Sequence, residues 1–331
     1  MKLFITVNSV LLLLFGSMSG QAASYYERAD VQQFIDAMVS QHDYPESELV
    51  ALFKSVQEQK QVARAIKAPA ERKKKWHQYR AIFMTQSRIK NGIKFWTEHE
   101  TILQQAEQHY GVPAEIIVAI IGVETFYGKH TGKHPVFATL VTLGFGETRS
   151  KFFRSELEHF LLLCLEEGMN PASLSGSYAG AMGLGQFISS SYRHYSVDAD
   201  NDGKRDLWTS SEDIIHSVAN YFRQHGWREQ QGITQQIERA LDSGQIDTSN
   251  TLKPKFSVAA LRAQGFSINS DLQGPVSLIV LDQQDRQEYW LGQHNFYVIT
   301  RYNHSHMYAM AVYQLSQEIK GQWTSLLAND N

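Results

Sequence analysis

Pro113-Ala-Glu-Ile-Ile-Val-Ala-Ile-Ile-Gly-Val-Glu124-Thr-Phe-Tyr-Gly128 is the stretch whose reading decides the fold. Pro113 suits the first turn of a helix, and Glu115 suits the positive end of its dipole. Ile116, Ile117, Ile120 and Ile121 recur at helical spacing, and Glu124 follows on the face of Ile117, Ile120 and Ile121. Gly128 is placed to end the helix. If this run folds as a buried helix, the carboxylate at its end is expected to be partly desolvated, and desolvation disfavours its charged form. A carboxylic acid that keeps its proton near neutral pH can act as a general acid. The plain reading is a surface Glu at a helix end. Glu is rarely buried without a reason, so Glu124 is the candidate catalytic group.

Upstream, residues from about 25 to 110 read as helices. Trp76, Tyr79, Ile82 and Phe83 form an apolar stripe, and Ile89, Ile93 and Phe95-Trp96 prolong it. Downstream, Phe152 to Glu167 and Ile214 to His225 are amphipathic runs closed by Gly168 and Gly226. Past residue 250 the period changes. Val276 to Leu281, Gln287 to Leu291 and Asn295 to Thr300 read as strands, preceded by a short helix over Val258 to Ala263. Tyr308 to Ile319 returns to a helix. The expected class is α+β, mostly helical, with a small α/β insert.

Gly176-Ser-Tyr-Ala-Gly-Ala-Met-Gly-Leu-Gly-Gln-Phe187 is the second cluster. Its glycines permit close backbone approach or positive φ. No Gly-Lys-Ser/Thr follows and no strand precedes, so a phosphate loop is not expected. On composition alone a flexible turn suffices; Ser177, Tyr178 and Gln186 also suit hydrogen bonding and stacking against a sugar. Asp198-Ala-Asp200-Asn-Asp202-Gly203-Lys204-Arg-Asp206 matches the first half of an EF-hand loop. Position 12 is Thr209 rather than a bidentate Glu; Glu212 stands three residues later. Three neighbouring carboxylates repel one another without a cation, so calcium is expected over a bare Asp-rich turn. His304-Ser-His306 reads as a surface pair, and no Gly-x-Ser-x-Gly elbow appears.

The 331 residues are 43 % hydrophobic and 20 % charged, with a net charge of −3. That balance gives no electrostatic footprint for nucleic acid. Lys2, the apolar run Leu11 to Phe15 and the small residues of Gly20-Gln-Ala22 or Gln21-Ala-Ala23 read as a cleavable secretory signal. No Cys stands near that site to take a lipid. The single Cys164 excludes an internal disulfide and reads as a buried apolar residue.

With these clusters in place, the chain resembles the membrane-bound lytic murein transglycosylase B family over most of its mature length. The likeness runs from Trp76-His-Gln-Tyr79-Arg80 through Gly92 to Trp96, Gly122 to Gly128, Ser177 to Gly183, Asp198 to Trp208 and Ser217 to Tyr221. It ends in Ile299 to Asn303 and Tyr308 to Ala311. The resemblance implies a lysozyme-like catalytic core over 96–250, a helical N-terminal domain over 24–95 joined by a C-terminal helix over 305–331, a signal over 1–23 and the insert over 251–300. It implies periplasmic cleavage of peptidoglycan glycan strands without water, by a monomer needing no organic cofactor, with other cell-wall enzymes as a further class of partner. Glu124 corresponds to the family's single acid/base. Ser177, Gln186, Tyr221, Tyr302 and Asn303 correspond to its glycan contacts. Asp198, Asp200, Asp202, Lys204 and Glu212 correspond to its calcium site. Where members often carry paired arginines, Arg149 is followed by Ser150, leaving Arg149 as the one cationic substrate contact. Two other readings stand beside this one. A hydrolytic muramidase would need a second carboxylate, for which Glu147 is the nearby candidate. A non-catalytic peptidoglycan-binding protein would not need Glu124.

Overall fold

In the computed structural model, residues 24–67, 74–240, 252–268 and 272–329 are described; the expected signal segment lies outside them. Two compact units divide between Gln57 and Glu58. In the first, a short 3-10 turn over Tyr25–Glu27 leads into α1 (Ala29–His42) and α2 (Glu46–Ser55). Helix α1 stops where Asp43 turns left-handed at φ 53°. Val31, Ile35 and Met38 of α1 and Leu49 and Phe53 of α2 are buried. Phe34 meets Phe53 edge-on at 6.0 Å.

The second unit begins with α3 (Lys60–Lys67), α4 (Trp76–Phe83), α5 (Gln86–Glu98) and α6 (Glu100–Tyr110). Trp76, Tyr79 and Phe83 of the expected stripe are buried, but Ile82 is 41 % exposed. Gly111, at φ +69°, closes α6, and two residues later Pro113 opens α7 (Ala114–Thr125). A Glu107 carboxylate oxygen accepts the Ala114 amide at 3.1 Å, filling one of the empty donor positions of the new helix. All of α7 except Glu124 is buried. Even Glu115 is buried, its charge met by Lys320 at 2.8 Å. A helix apolar all round must be enclosed on every side; α5, α6, α11 (Ser211–Gln224) and α14 (His306–Asn329) enclose this one. Close approach to α5 requires glycine. A Cβ on Gly92 would stand 2.5 Å from the Tyr127 hydroxyl, and one on Gly122 would clash with the same atom.

Between these elements lie β1 (His134–Pro135), α8 (Val136–Gly144), α9 (Ser150–Glu166), β2 (Ser175–Gly176) and α10 (Ser189–Tyr195). Cys164 of α9 is buried as expected, and burial pushes its thiol up to about 12.

The remaining elements are β3 (Thr234–Arg239), α12 (Val258–Ala263), β4 (Phe266–Ser267), β5 (Ser277–Asp282), β6 (Gln287–Gly292) and α13 (His294–Tyr302). The antiparallel sheet runs β4-β3-β6-β5. One face packs Ile237, Leu278 and Leu291 against Val258, Leu261 and Phe266. Two expectations change here. Strand β3 starts at Thr234, upstream of the expected insert over 251–300. Asn295 to Thr300, read as a strand, is helical within α13. The buried Asn295 amide explains the change: it donates to the Arg228 and Gln231 carbonyls and accepts the Arg228 amide, tying the first turn of a helix to the preceding loop.

Candidate active site

Glu124 is the one residue of α7 that is not buried. Three constraints fix the backbone beneath it. Phe126 and Tyr127 both take positive φ, 53° and 56°, so the chain turns sharply after Thr125. The buried Thr125 hydroxyl accepts the Gly128 amide at 3.1 Å and donates to the Leu184 carbonyl at 3.0 Å. Arg88 of α5 donates to the Gly122 carbonyl at 3.0 Å, beside the Phe126 amide that the same oxygen accepts at 3.1 Å. The carboxyl itself receives the Tyr308 hydroxyl of α14 on Oε1 at 2.5 Å. Tyr308 is 2 % exposed. Burial, and then the neighbouring Glu124, push its phenol well above its ordinary value, so it stays a neutral donor.

The glycine-rich loop lies against this end of α7. Leu184 ties it twice, to Thr125 through its carbonyl and to the Leu207 carbonyl through its amide at 2.8 Å. A Cβ on Gly183 would stand 2.5 Å from that same Leu207 carbonyl oxygen, so the approach demands glycine. Several residues expected to touch glycan visibly brace the loop. The Ser177 hydroxyl accepts the amides of Ala179 and Ala181 at 3.2 and 3.0 Å. Gln186, at φ +51°, donates to the carbonyls of Thr131 and Gly183 at 3.1 and 2.9 Å. Tyr302 donates to the Gly185 carbonyl at 2.5 Å, and Tyr221 to the Arg301 carbonyl at 2.7 Å. The rings of Tyr221 and Tyr302 pack 4.8 Å apart and both meet Phe187. Asn303 is exposed at the end of α13. Arg149, exposed at the start of α9, lies over the Phe152 ring at 4.2 Å. Glu147, the candidate second acid, has a side chain 88 % exposed and paired with Lys67 at 3.1 Å. Tyr308 and Thr125 were not singled out as functional from sequence. Thr125 adjoins Glu124 in the decisive stretch; Tyr308 stands 184 positions away, with no local signal to link the two.

In the acidic loop, ligand oxygens of Asp198, Asp200 and Asp202 lie within 4.8 Å of one another. Glu212, in the first turn of α11, is not part of that group. Its neighbour Asp213 holds the loop instead. Fully buried, it accepts the amides of Ala199 and Asp206, each at 2.7 Å. Burial raises its carboxyl above the ordinary range, against the pull of those two donors. Asp198 accepts the Asp202 and Gly203 amides at 3.1 and 3.0 Å, and Asp202 accepts the Lys204 amide at 2.8 Å. The donor set is hard oxygen on a tight turn, which fits a calcium-sized cation.

The architecture is the lysozyme-like α+β fold of the lytic transglycosylases. Soluble lytic transglycosylase SltB1 of Pseudomonas aeruginosa, solved as a catenated form, superposes with a TM-score of 0.85 at 45 % identity, covering 90 % of this chain and 99 % of that one. Lytic transglycosylase Slt35 of Escherichia coli, solved in complex with calcium, superposes with a TM-score of 0.83 at 40 % identity, covering 90 % and 95 %. The transglycosylase SLT domain matches residues 26–317. Membrane-bound lytic murein transglycosylase B of Escherichia coli strain K12 is 41 % identical over 303 residues, 88 % of this chain and 82 % of that protein. The chain belongs to the transglycosylase SLT domain family, and it is an enzyme. No helix among the described residues is long and apolar enough to cross a membrane.

Proposed function

We propose that this enzyme cleaves the β-1,4 bond between N-acetylmuramic acid and N-acetylglucosamine in peptidoglycan without water, leaving 1,6-anhydromuramic ends. The observation that carries the reading is Glu124 itself, the one unburied residue of an enclosed helix, held by a neutral phenol at 2.5 Å. Glycosidases ordinarily use two carboxylates. The exposure of Glu147 and the clustering of the three aspartates on a separate loop support a reading in which Glu124 acts alone. Its carboxyl gives a proton to the glycosidic oxygen as the C1–O bond breaks. The muramyl N-acetyl oxygen stabilises the positive charge developing at C1. The Glu124 carboxylate then takes the proton of the C6 hydroxyl, whose oxygen closes on C1. Glu124 ends protonated, as it began. Tyr308 keeps the carboxyl oriented through both transfers. The Thr125–Leu184 and Tyr302–Gly185 bonds hold the loop in place beside it.

Ser177, Gln186, Tyr221, Tyr302 and Asn303 line the glycan path in this reading, with Arg149 toward an anionic substituent. Asp198, Asp200, Asp202, Lys204 and Glu212 would hold calcium, which would supply stability rather than chemistry. The protein acts in the periplasm after export. Digestion of purified sacculi followed by mass analysis tests the reaction. The expected muropeptides are one water lighter than hydrolysis products; products of full hydrolytic mass would instead establish a muramidase.

A further inference from the structure

A cleft of about 780 Å³ opens between the small sheet, α4 and the middle of α14. The sheet has two different faces. The face opposite the small apolar core carries Trp290, with Gln236 directly across from it in the ladder. Tyr313 of α14 meets the Trp290 ring edge-on at 6.4 Å. Five glutamines line the walls: Gln236, Gln283, Gln284, Gln314 and Gln317. Two buried polar atoms in the lining, His77 Nδ1 and Trp290 Nε1, have no hydrogen-bond partner in the protein. Arg80 donates to the Gln314 carboxamide at 2.6 Å and Arg286 pairs with Glu288 at 3.7 Å; with Asp285 and Glu318 also in the lining, the walls hold no cationic excess to select an anion. Carboxamides both donate and accept, which complements hydroxyl and acetamido groups, and an indole flanked by such groups is a platform for a sugar face.

We propose that this cleft is a second saccharide site, taking a neutral β-linked N-acetylhexosamine chain. The saccharide class rests on the function proposed above; the site does not use Glu124. Gln317 lies nine residues beyond Tyr308 on α14, about 13 Å along the axis, so the same helix serves both places. Bound there, a glycan strand would hold the enzyme on insoluble wall while another segment is cut.

The test uses the full chain carrying Glu124→Gln, so that nothing is turned over, and chitotetraose as the probe. The six tryptophans give separate indole N–H resonances, and Trp290 is assigned by the signal lost in Trp290→Phe. On titration to about 10 mM probe, the Trp290 resonance should shift and saturate, as a dissociation constant near about 1 mM requires. Gln236→Ala should weaken that curve about tenfold while leaving the spectrum otherwise folded, and cellotetraose, lacking acetamido groups, should bind more weakly. A Trp290 resonance that stays still while other indoles respond would overturn the proposal, as would equal binding of cellotetraose. Neither result would touch the reaction assigned to Glu124, which is read from sacculus products.

Discussion

Glu124 and the Asp198 loop hold carboxylates in opposite ways. Glu124 stands alone at the end of an enclosed helix, and its recorded donor is a buried tyrosine from the far end of the chain. Asp198, Asp200 and Asp202 sit together at the surface, tied largely to backbone amides within a few residues. A lone carboxyl at the open end of an apolar helix, held by a neutral hydroxyl, can exchange a proton with a bound substrate. A cluster of acids on a turn repels itself and is quieted by a hard cation. In the function proposed above, the same residue chemistry would serve turnover in one place and shape in the other.

The sharpest way to break this contrast is Glu124→Gln. It should remove about 10²–10⁴-fold of the rate or more, since one residue serves both proton transfers, with the melting temperature unchanged. A purified variant that keeps more than about a tenth of wild-type turnover of sacculi would end the single-acid reading. Next in size is the loop. Chelation should lower the melting temperature, and calcium at one hundred times its dissociation constant should return about 2.7 kcal/mol. Magnesium should do less, because it prefers a tighter octahedral shell. Asp202→Ala should erase the response; a melt indifferent to chelator in a demonstrably metal-free sample would leave an Asp-rich turn.

Tyr308→Phe sharpens the site side. Losing the donor to Glu124 should cut kcat about tenfold, or about 1.4 kcal/mol, with KM little changed. A fall in melting temperature with kcat intact would make Tyr308 a packing residue instead. The smallest effect concerns acid. Burial lowers the His306 imidazole below its ordinary 6.5. A depressed folded value means the stability it contributes is present above 6.5 and is lost as pH falls from there through the folded value. His306 opens α14 two residues before Tyr308, so wild-type protein should loosen below pH 6.5 in a way that His306→Gln blunts. Identical acid melts for the two proteins would show that other groups govern this range.

Much of the fold was legible because α7 is so apolar that only an enclosing fold can bury it. The Asp loop was legible because its ligands are close in sequence. Strand β3 was not: Thr-Gln-Gln-Ile-Glu-Arg offers one apolar residue, and its pairing with β6 is supplied from more than fifty positions away. Asn295 to Thr300 has the β-branched and aromatic composition of a strand, and long-range hydrogen bonds to Arg228 and Gln231 override it. At the site, Glu124 and the loops were visible, whereas the bracing bonds of Ser177, Gln186 and Tyr302 depend on backbone carbonyls and amides that no residue type reveals.

Leu184 has a consequence for kinetics as well as geometry. Its carbonyl is held by the residue after Glu124, and its amide by Leu207, just past the acidic loop. That one peptide neighbourhood therefore cannot exchange its amide hydrogen for solvent deuterium unless the grip of Leu207 loosens. The Leu184 amide is a built-in clock. Its exchange rate would time how often the surface loop lets go of the Glu124 end of α7, and calcium that slows the clock would do so without approaching Glu124.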